Sequence, residues 1–247
     1  MTSRNNSSAN AAWLTIPSPA KLNLMLHITG QRSDGYHELQ TIFQFVDHSD
    51  ELSYQLREDD QLTLSPAIEG VDFEENLIIK AARALQNHPA AANKSCGANI
   101  KLEKILPMGG GLGGGSSNAA TTMLALNKLW QLDLSFDELS VIGVKLGADV
   151  PVFIKGQACW AEGVGEKITP LPDLDENWFL VACPNAHSDT KEIFSHKELT
   201  RDSEILNMRH ALEGQAANNG RNDCQYVASK LNPEIGKTLN LLNKFGS

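Results

Sequence analysis

No stretch of the chain approaches the roughly 20 consecutive apolar residues that a membrane-spanning helix needs, so no membrane role is expected. Cysteine is scarce too. Cys96, Cys159, Cys183 and Cys224 stand far apart with no C-x-x-C pair. That argues against a zinc site or a disulfide framework and fits a reducing, cytoplasmic setting, with all four expected as small buried apolar residues. Positive charge is in short supply: 21 Lys and Arg face 30 Asp and Glu, for a net charge of -9 and no basic run. Such a field repels nucleic acid. Any anionic ligand must then be held by local dipoles and a few placed cations. The opening "MTSRNNSSANAA" lacks the apolar core of a signal peptide and reads as a disordered leader over residues 1–12.

What the chain has in excess, at one place, is glycine. "PMGGGLGGGSSNAA" carries six glycines between residues 109 and 115, although glycine loses more backbone freedom on folding than any other residue. Apolar, periodic segments abut the run on both sides, which excludes a flexible linker. Upstream, "NIKLEKIL" reads as a short strand. Downstream, Ala119, Met123, Leu126 and Trp130 recur at helical spacing. Strand, glycine turn, helix is an arrangement that places phosphate on the unpaired backbone N–H groups of a helix N-terminus. Ser116 and Ser117 lie at the junction, where hydroxyls can cap the helix or meet phosphate or magnesium.

The remaining pattern is mixed. "AKLNLMLHI" alternates strictly, with Leu22, Leu24, Leu26 and Ile28 on one face and Lys21, Asn23, Met25 and His27 on the other. Asp34-Gly35 is a hairpin signal, and "ELQTIFQFV" and "DELSYQL" read as further strands. Asp72 with Glu75 and Ser135 with Glu138 form capping-box pairs ahead of two helices, with Gly147 suited to end the second. "PVFIKGQACW" reads as a strand, although Pro151 also suits the first turn of a helix capped by Asp149. "PLPDLDENWFLVACP" reads as loop then strand, and the change of composition near residue 163 marks a domain boundary. The class expected is α+β.

Three phosphate-loop types fit in part. A Walker loop needs lysine where Ser116 stands, and the protein-kinase loop lacks its V-A-I-K, H-R-D and D-F-G partners. Gly109, Gly111 and Gly114 give the dinucleotide G-x-G-x-x-G, but Asp133, near the spacing for its acidic partner, follows a continuing helix rather than a strand.

A fourth type fits throughout. "PMGGGLGGGSSNAA" resembles the phosphate-binding loop of the GHMP kinases, small-molecule kinases related to galactokinase, homoserine kinase and mevalonate kinase. With "PAKLNLMLHITGQRSDGYHELQTIFQFVD" and "LGADVPVFIKGQACWAEGVGE", the resemblance runs from about residue 16 to the low 240s. It narrows to the branch acting on a cytidine diphosphate-linked sugar alcohol in the non-mevalonate route to isoprenoids.

The resemblance implies a two-domain fold, residues 13–162 forming an ATP-binding and catalytic unit and 163–247 a C-terminal unit. It implies that Pro107, Met108, Gly109, Gly110, Gly111, Leu112, Gly113, Gly114, Gly115, Ser116 and Ser117 hold ATP. Asp149 would take the proton of the attacking hydroxyl, and Lys21 would steady the developing alkoxide. Tyr36 and His37 in "DGYHEL", with Asn23 and Phe194, would bind the cytidine end by stacking and hydrogen bonding. Magnesium is expected to arrive with ATP. No histidine spacing suggests a resident metal, and a monomer and a homodimer are both compatible with the sequence.

The family carries a further glycine-rich motif toward its C-terminus, and "LLNKFGS" stands where that motif begins. The C-terminal unit therefore reads as truncated, with weak activity expected of the chain as given. Two alternatives stay open: a GHMP kinase for another small alcohol such as homoserine or mevalonate, and a catalytically impaired nucleotide-binding remnant.

Overall fold

The computed structural model of the protein describes residues 12–172, 174–175, 177–184, 190–213 and 220–245; the expected leader, but for its last residue, lies outside them. Strand β1 (Leu14–Gln31) turns through the Asp34-Gly35 hairpin into β2 (His37–Arg57), which takes in both predicted strands without a break. Strand β2 is the axis of the sheet. One edge pairs with β1 along nearly its whole length. The other is shared, antiparallel, by β4 (Gly97–Glu103) at Glu51–Arg57 and by β5 (Cys159–Gly163) at Leu39–Phe43. A short parallel strand β3 (Leu62–Ser65) borders β4, and β6 (Lys167–Pro170) borders β5, so the hairpin β5–β6 runs across residue 163.

The largest core lies between this sheet and helices α1 (Leu77–Gln86) and α2 (Gly114–Leu129). Leu52, Tyr54, Ile100 and Leu102 of the strands meet Ile78, Ile79, Met123 and Leu126 of the helices. Helices α3 (Phe136–Gly143) and α4 (Val150–Lys155) extend it through Leu139, Val150 and Phe153. Later in the chain come α5 (Thr190–Ser195), α6 (Met208–Glu213), α7 (Gln225–Leu231) and α8 (Pro233–Leu242). Ile193, Leu199 and Val227 from this part close over Ile28 of β1.

Several elements differ from the sequence reading, each for a physical reason. Strand β1 does not keep one apolar face. Register shifts at Pro19/Ala20, Asn23/Met25 and Ile28/Gly30 each re-aim the side chains. Met25, expected among the polar positions, is buried against Ile42 and Trp160, while Leu22 and Leu24 are only half-buried. The "PVFIK" run is helix α4 rather than strand, with Pro151 in its first turn and Gly156 as its left-handed cap; all five residues from Val150 to Ile154 are buried. Helix α1 is capped by the Asn76 side chain, not by Asp72, which instead closes the preceding turn onto Glu74. Helix α3 has the predicted Ser135/Glu138 capping box but ends at Gly143, before Gly147. Among the described residues of 171–184 there is no strand, and Trp178 is fully exposed; Cys183 in this segment is exposed too and Cys224 half-buried, so only Cys96 and Cys159 are the buried thiols expected.

One buried pair in the core allows a directional test. Thr122 donates its hydroxyl hydrogen to the Asn118 carbonyl at 2.7 Å, so Tyr54, 2.9 Å away and fully buried, must donate to Thr122 Oγ1. Tyr54→Phe leaves Thr122 paired and is expected to cost about 1 kcal/mol. Thr122→Val strands the buried phenol donor and is expected to cost about 2 kcal/mol or more. Denaturant unfolding of the two variants checks the order, and a reversed order refutes the donor assignment.

Candidate active site

The glycine run forms the lip of a cleft of about 1180 Å³ whose walls come from β1, β2, α2, the start of α4 and α5. Gly109, Gly111 and Gly113 have φ of 72°, 73° and 73°, alternating with residues outside that left-handed region. Such alternation turns successive N–H groups toward one concavity and makes an anion-binding nest. Gly113 is the N-cap of α2, and no side chain caps that end. The serines therefore do not cap the helix as expected; they occupy its first turn. The loop and the unpaired first amides of a sixteen-residue helix converge on the cleft.

The two serines diverge. Ser116 lines the cleft, whereas Ser117 is fully buried with its hydroxyl 2.8 Å from Ser18 Oγ, facing the sheet. Pro107, Met108, Gly109, Gly110, Gly111, Leu112, Gly113, Gly114 and Gly115 all line the cleft.

Lys21 is brought under this loop by β1. Its backbone N–H donates to Leu112 O at 3.0 Å, and the ammonium of this residue, which is only 6% exposed, donates to Gly111 O at 3.0 Å and to Asn23 Oδ1 at 2.6 Å. Asp149 Oδ2 stands 3.7 Å from the same nitrogen. Asp149 is the N-cap residue of α4 but makes no side-chain cap bond, so its carboxylate faces Lys21 rather than its own helix. Sequence reasoning separated the predicted pair by 128 positions; the fold sets them in one ion pair. Asn23 is committed on both sides, its Nδ2 donating to Thr41 Oγ1 at 2.8 Å, and so serves as a strut for Lys21.

At the other end of the cleft, His37 and Phe194 meet with ring centroids 5.3 Å apart at 56°. Tyr36 lies at the rim, 64% exposed. Burial, and then the positive charge of Arg201, hold the His37 imidazole below its ordinary value of 6.5.

Three cations escaped the sequence reading: Lys104, Arg201 and Lys191, the last in α5 on the wall of the cleft. Lys104, on the segment that feeds the loop, lines the cleft, with Nζ 2.8 Å from the buried Asp50 and 2.5 Å from Leu106 O. Its place three residues before Pro107 was the available signal. Arg201, in "LTRDS", carried none. Among the described residues, no three His, Cys, Asp or Glu side chains group to hold a metal ion, and no helix is long and apolar enough to cross a membrane.

The fold and the loop define a small-molecule kinase of the GHMP class: the GHMP kinases N terminal domain model matches residues 76–157. A homoserine kinase from Cytophaga hutchinsonii shares the fold at a TM-score of 0.54 and 15% identity, over 87% of this chain and 67% of that one. Nearer relatives are more specific. The 4-diphosphocytidyl-2-C-methyl-D-erythritol kinase of Pseudomonas putida (strain GB-1) is 56% identical over 232 residues, covering 94% of this chain and 78% of the relative. That of Pseudomonas aeruginosa (strain LESB58) is 55% identical over 234 residues, covering 95% and 80%. A crystal structure of 4-(cytidine 5'-diphospho)-2C-methyl-D-erythritol kinase matches with a TM-score of 0.76 at 31% identity, over 94% of this chain and 84% of that one. The chain belongs to the 4-diphosphocytidyl-2-C-methyl-D-erythritol kinase family.

Two expectations follow from this geometry. A Cβ on Gly113 would lie 2.8 Å from the Phe153 ring and 3.2 Å from Lys21 Cε, at a φ that costs a side chain roughly 1–2 kcal/mol. Gly113→Ala should therefore weaken ATP binding by about tenfold or more, measured by calorimetry. Gly111→Ala, equally left-handed but with open space around it, should do less damage; equal losses would show that crowding of Phe153 and Lys21 is irrelevant.

The second concerns protons. With His37 depressed when folded, the unfolded chain binds more protons once pH falls below about 6.5. Stability is full above that value and declines as pH falls toward the folded midpoint. NMR titration of the His37 C2 proton should give a midpoint below 6.5, raised toward it in Arg201→Met.

Proposed function

We propose that this chain transfers the γ-phosphate of ATP to the 2-hydroxyl of 4-diphosphocytidyl-2-C-methyl-D-erythritol, in the non-mevalonate route to isoprenoid precursors. The observation that carries the proposal is the position of the Lys21 ammonium, which bonds the glycine loop at Gly111 O and faces Asp149 at 3.7 Å. One cation thereby joins the element that holds phosphate to the carboxylate that can take a proton. The acceptor oxygen attacks the γ-phosphorus, the bond from that phosphorus to the β,γ-bridging oxygen breaks, and ADP leaves. The hydroxyl proton passes to Asp149 and from there to solvent. Lys21 stabilises the charge on the entering oxygen and on the transferring group. Positioning and charge carry most of such a transfer.

Magnesium accompanies ATP in this reading, neutralising phosphate charge when bound. The Ser116 hydroxyl, in the first turn of α2 and on the wall of the cleft, would offer it a hard oxygen ligand. His37, Phe194 and Tyr36 take the cytidine end. A division near residue 163 belongs to the proposal, although the β5–β6 hairpin carries the sheet across that residue: the loop, Lys21 and Asp149 lie before it, Phe194 after it, and the cleft is lined from both sides. A cytoplasmic setting is supported by Cys96, Cys159, Cys183 and Cys224, all free thiols.

ADP release is the direct assay, with the cytidine-linked substrate set against homoserine and mevalonate. Turnover of either alternative in preference overturns the substrate reading, and ATP binding without any turnover leaves only a nucleotide-binding remnant. Asp149→Asn should lower kcat by about 10²–10⁴-fold with ATP affinity nearly unchanged. Near-normal kcat in that variant would remove Asp149 from the role of base.

A further inference from the structure

His37 has a hydrogen-bonding partner that cannot accept. Arg201 Nε lies 3.0 Å from His37 Nε2, and a guanidinium is donor-only and charged at every accessible pH. The imidazole nitrogen it meets must therefore carry a lone pair. In the neutral ring, the single proton is then forced onto Nδ1. Arg201 is itself fixed: NH1 donates to Leu199 O, and NH2 to Phe194 O and His196 O, each at 3.0 Å. Four of its five N–H groups are thus occupied. The same guanidinium holds the backbone of Phe194, whose ring packs on His37. The segment is in turn anchored to β1 through Leu199 in the Ile28 cluster and the Ser203 N–H to Ile28 O bond at 3.0 Å.

We infer that Arg201 is a positioning residue that sets base selectivity by locking His37, which lines the cleft, into the tautomer that can only donate from Nδ1. This rests on the reading of the His37–Phe194 end as the pyrimidine site. Cytosine offers an acceptor at N3 where uracil offers an N–H. A donor-only Nδ1–H pairs with the first and leaves two donors facing each other with the second. Without Arg201 the ring is free to take the other tautomer, so its Nδ1 can accept, and the discrimination relaxes.

The test uses the whole chain with ¹⁵N-labelled histidine, cytidine diphosphate and uridine diphosphate as probes, and the variants Arg201→Met and Arg201→Lys. The unaltered chain should show the Nδ1–H tautomer of His37 and bind cytidine diphosphate about 100-fold or more tighter than uridine diphosphate. Arg201→Met should shift the tautomer population and reduce that ratio about tenfold or more. Arg201→Lys, still donor-only, should retain both. An Nε2–H tautomer in the unaltered chain overturns the inference, as does equal binding of the two diphosphates. A Met variant that loses affinity for both alike, with tautomer unchanged, overturns it too, because it would show Arg201 holding the loop and nothing more. Failure of the kinase reading is seen separately, as absence of ADP release while the tautomer and binding results stand.

Discussion

A lysine almost wholly buried in the wall of the cleft is the point on which the surrounding elements converge. Lys21 keeps only 6% of its surface exposed, and a buried cation is tolerated only where its N–H groups find partners. Here they come from three places in the chain: Asn23 on the same strand, Gly111 on the loop and Asp149 at the start of α4. The Phe43 ring lies beneath, 5.4 Å from the nitrogen. Satisfying one charge thus fixes the height of the loop over the sheet and the direction of the carboxylate. The register shifts on either side of Lys21 follow from this. A regular strand would carry Lys21, Asn23 and Met25 on one face, whereas the bulge after Asn23 sends Met25 into the core and leaves the polar pair in the cleft.

Gly113 works under the same constraint. Its left-handed φ starts α2, and its missing Cβ lets Phe153 close against the loop beside the Lys21 stem. Phe153 in turn meets Phe45 edge-on at 5.4 Å. The apolar run of α4 is therefore the packing that presses the helix start carrying Asp149 against the glycine loop.

How much of this was legible follows from how local each signal is. The glycine loop, the periodicity of α2, the Asp34-Gly35 turn and the Ser135 capping box are short-range chemistry, and each stands where the sequence put it. Helix α4 was misread because five consecutive buried residues have no periodicity to distinguish a helix from a strand; Pro151 was the better clue. The faces of β1 were misread because a bulge leaves no mark in a hydrophobic pattern. The Lys21–Asp149 pair was reached through the family resemblance, since nothing in spacing joins residues 128 apart. Arg201 was reached by neither route. Its role exists only once α5 and the segment after it fold back onto the start of β2.

The acidic balance noted at the outset now has a structural answer. A chain of net charge -9 must hold a triphosphate against its own field, and basic side chains contribute little net charge to do so. Lys104 is spent on the buried Asp50, which also takes the Ile105 and Leu106 amides at 2.7 Å. Lys21 is shared with Asp149. To these the backbone adds the nest of the glycine loop and the uncapped end of α2. Fixed amide dipoles attract anions at close range without carrying a net charge, so they do not need a basic surface to work. Two of the three lysines that line the cleft, Lys21 and Lys104, are neutralised locally by Asp149 and Asp50 and act through position rather than through long-range attraction. In the proposed reading, that is why glycine, the residue least able to contribute a side chain, is concentrated in the loop assigned to phosphate.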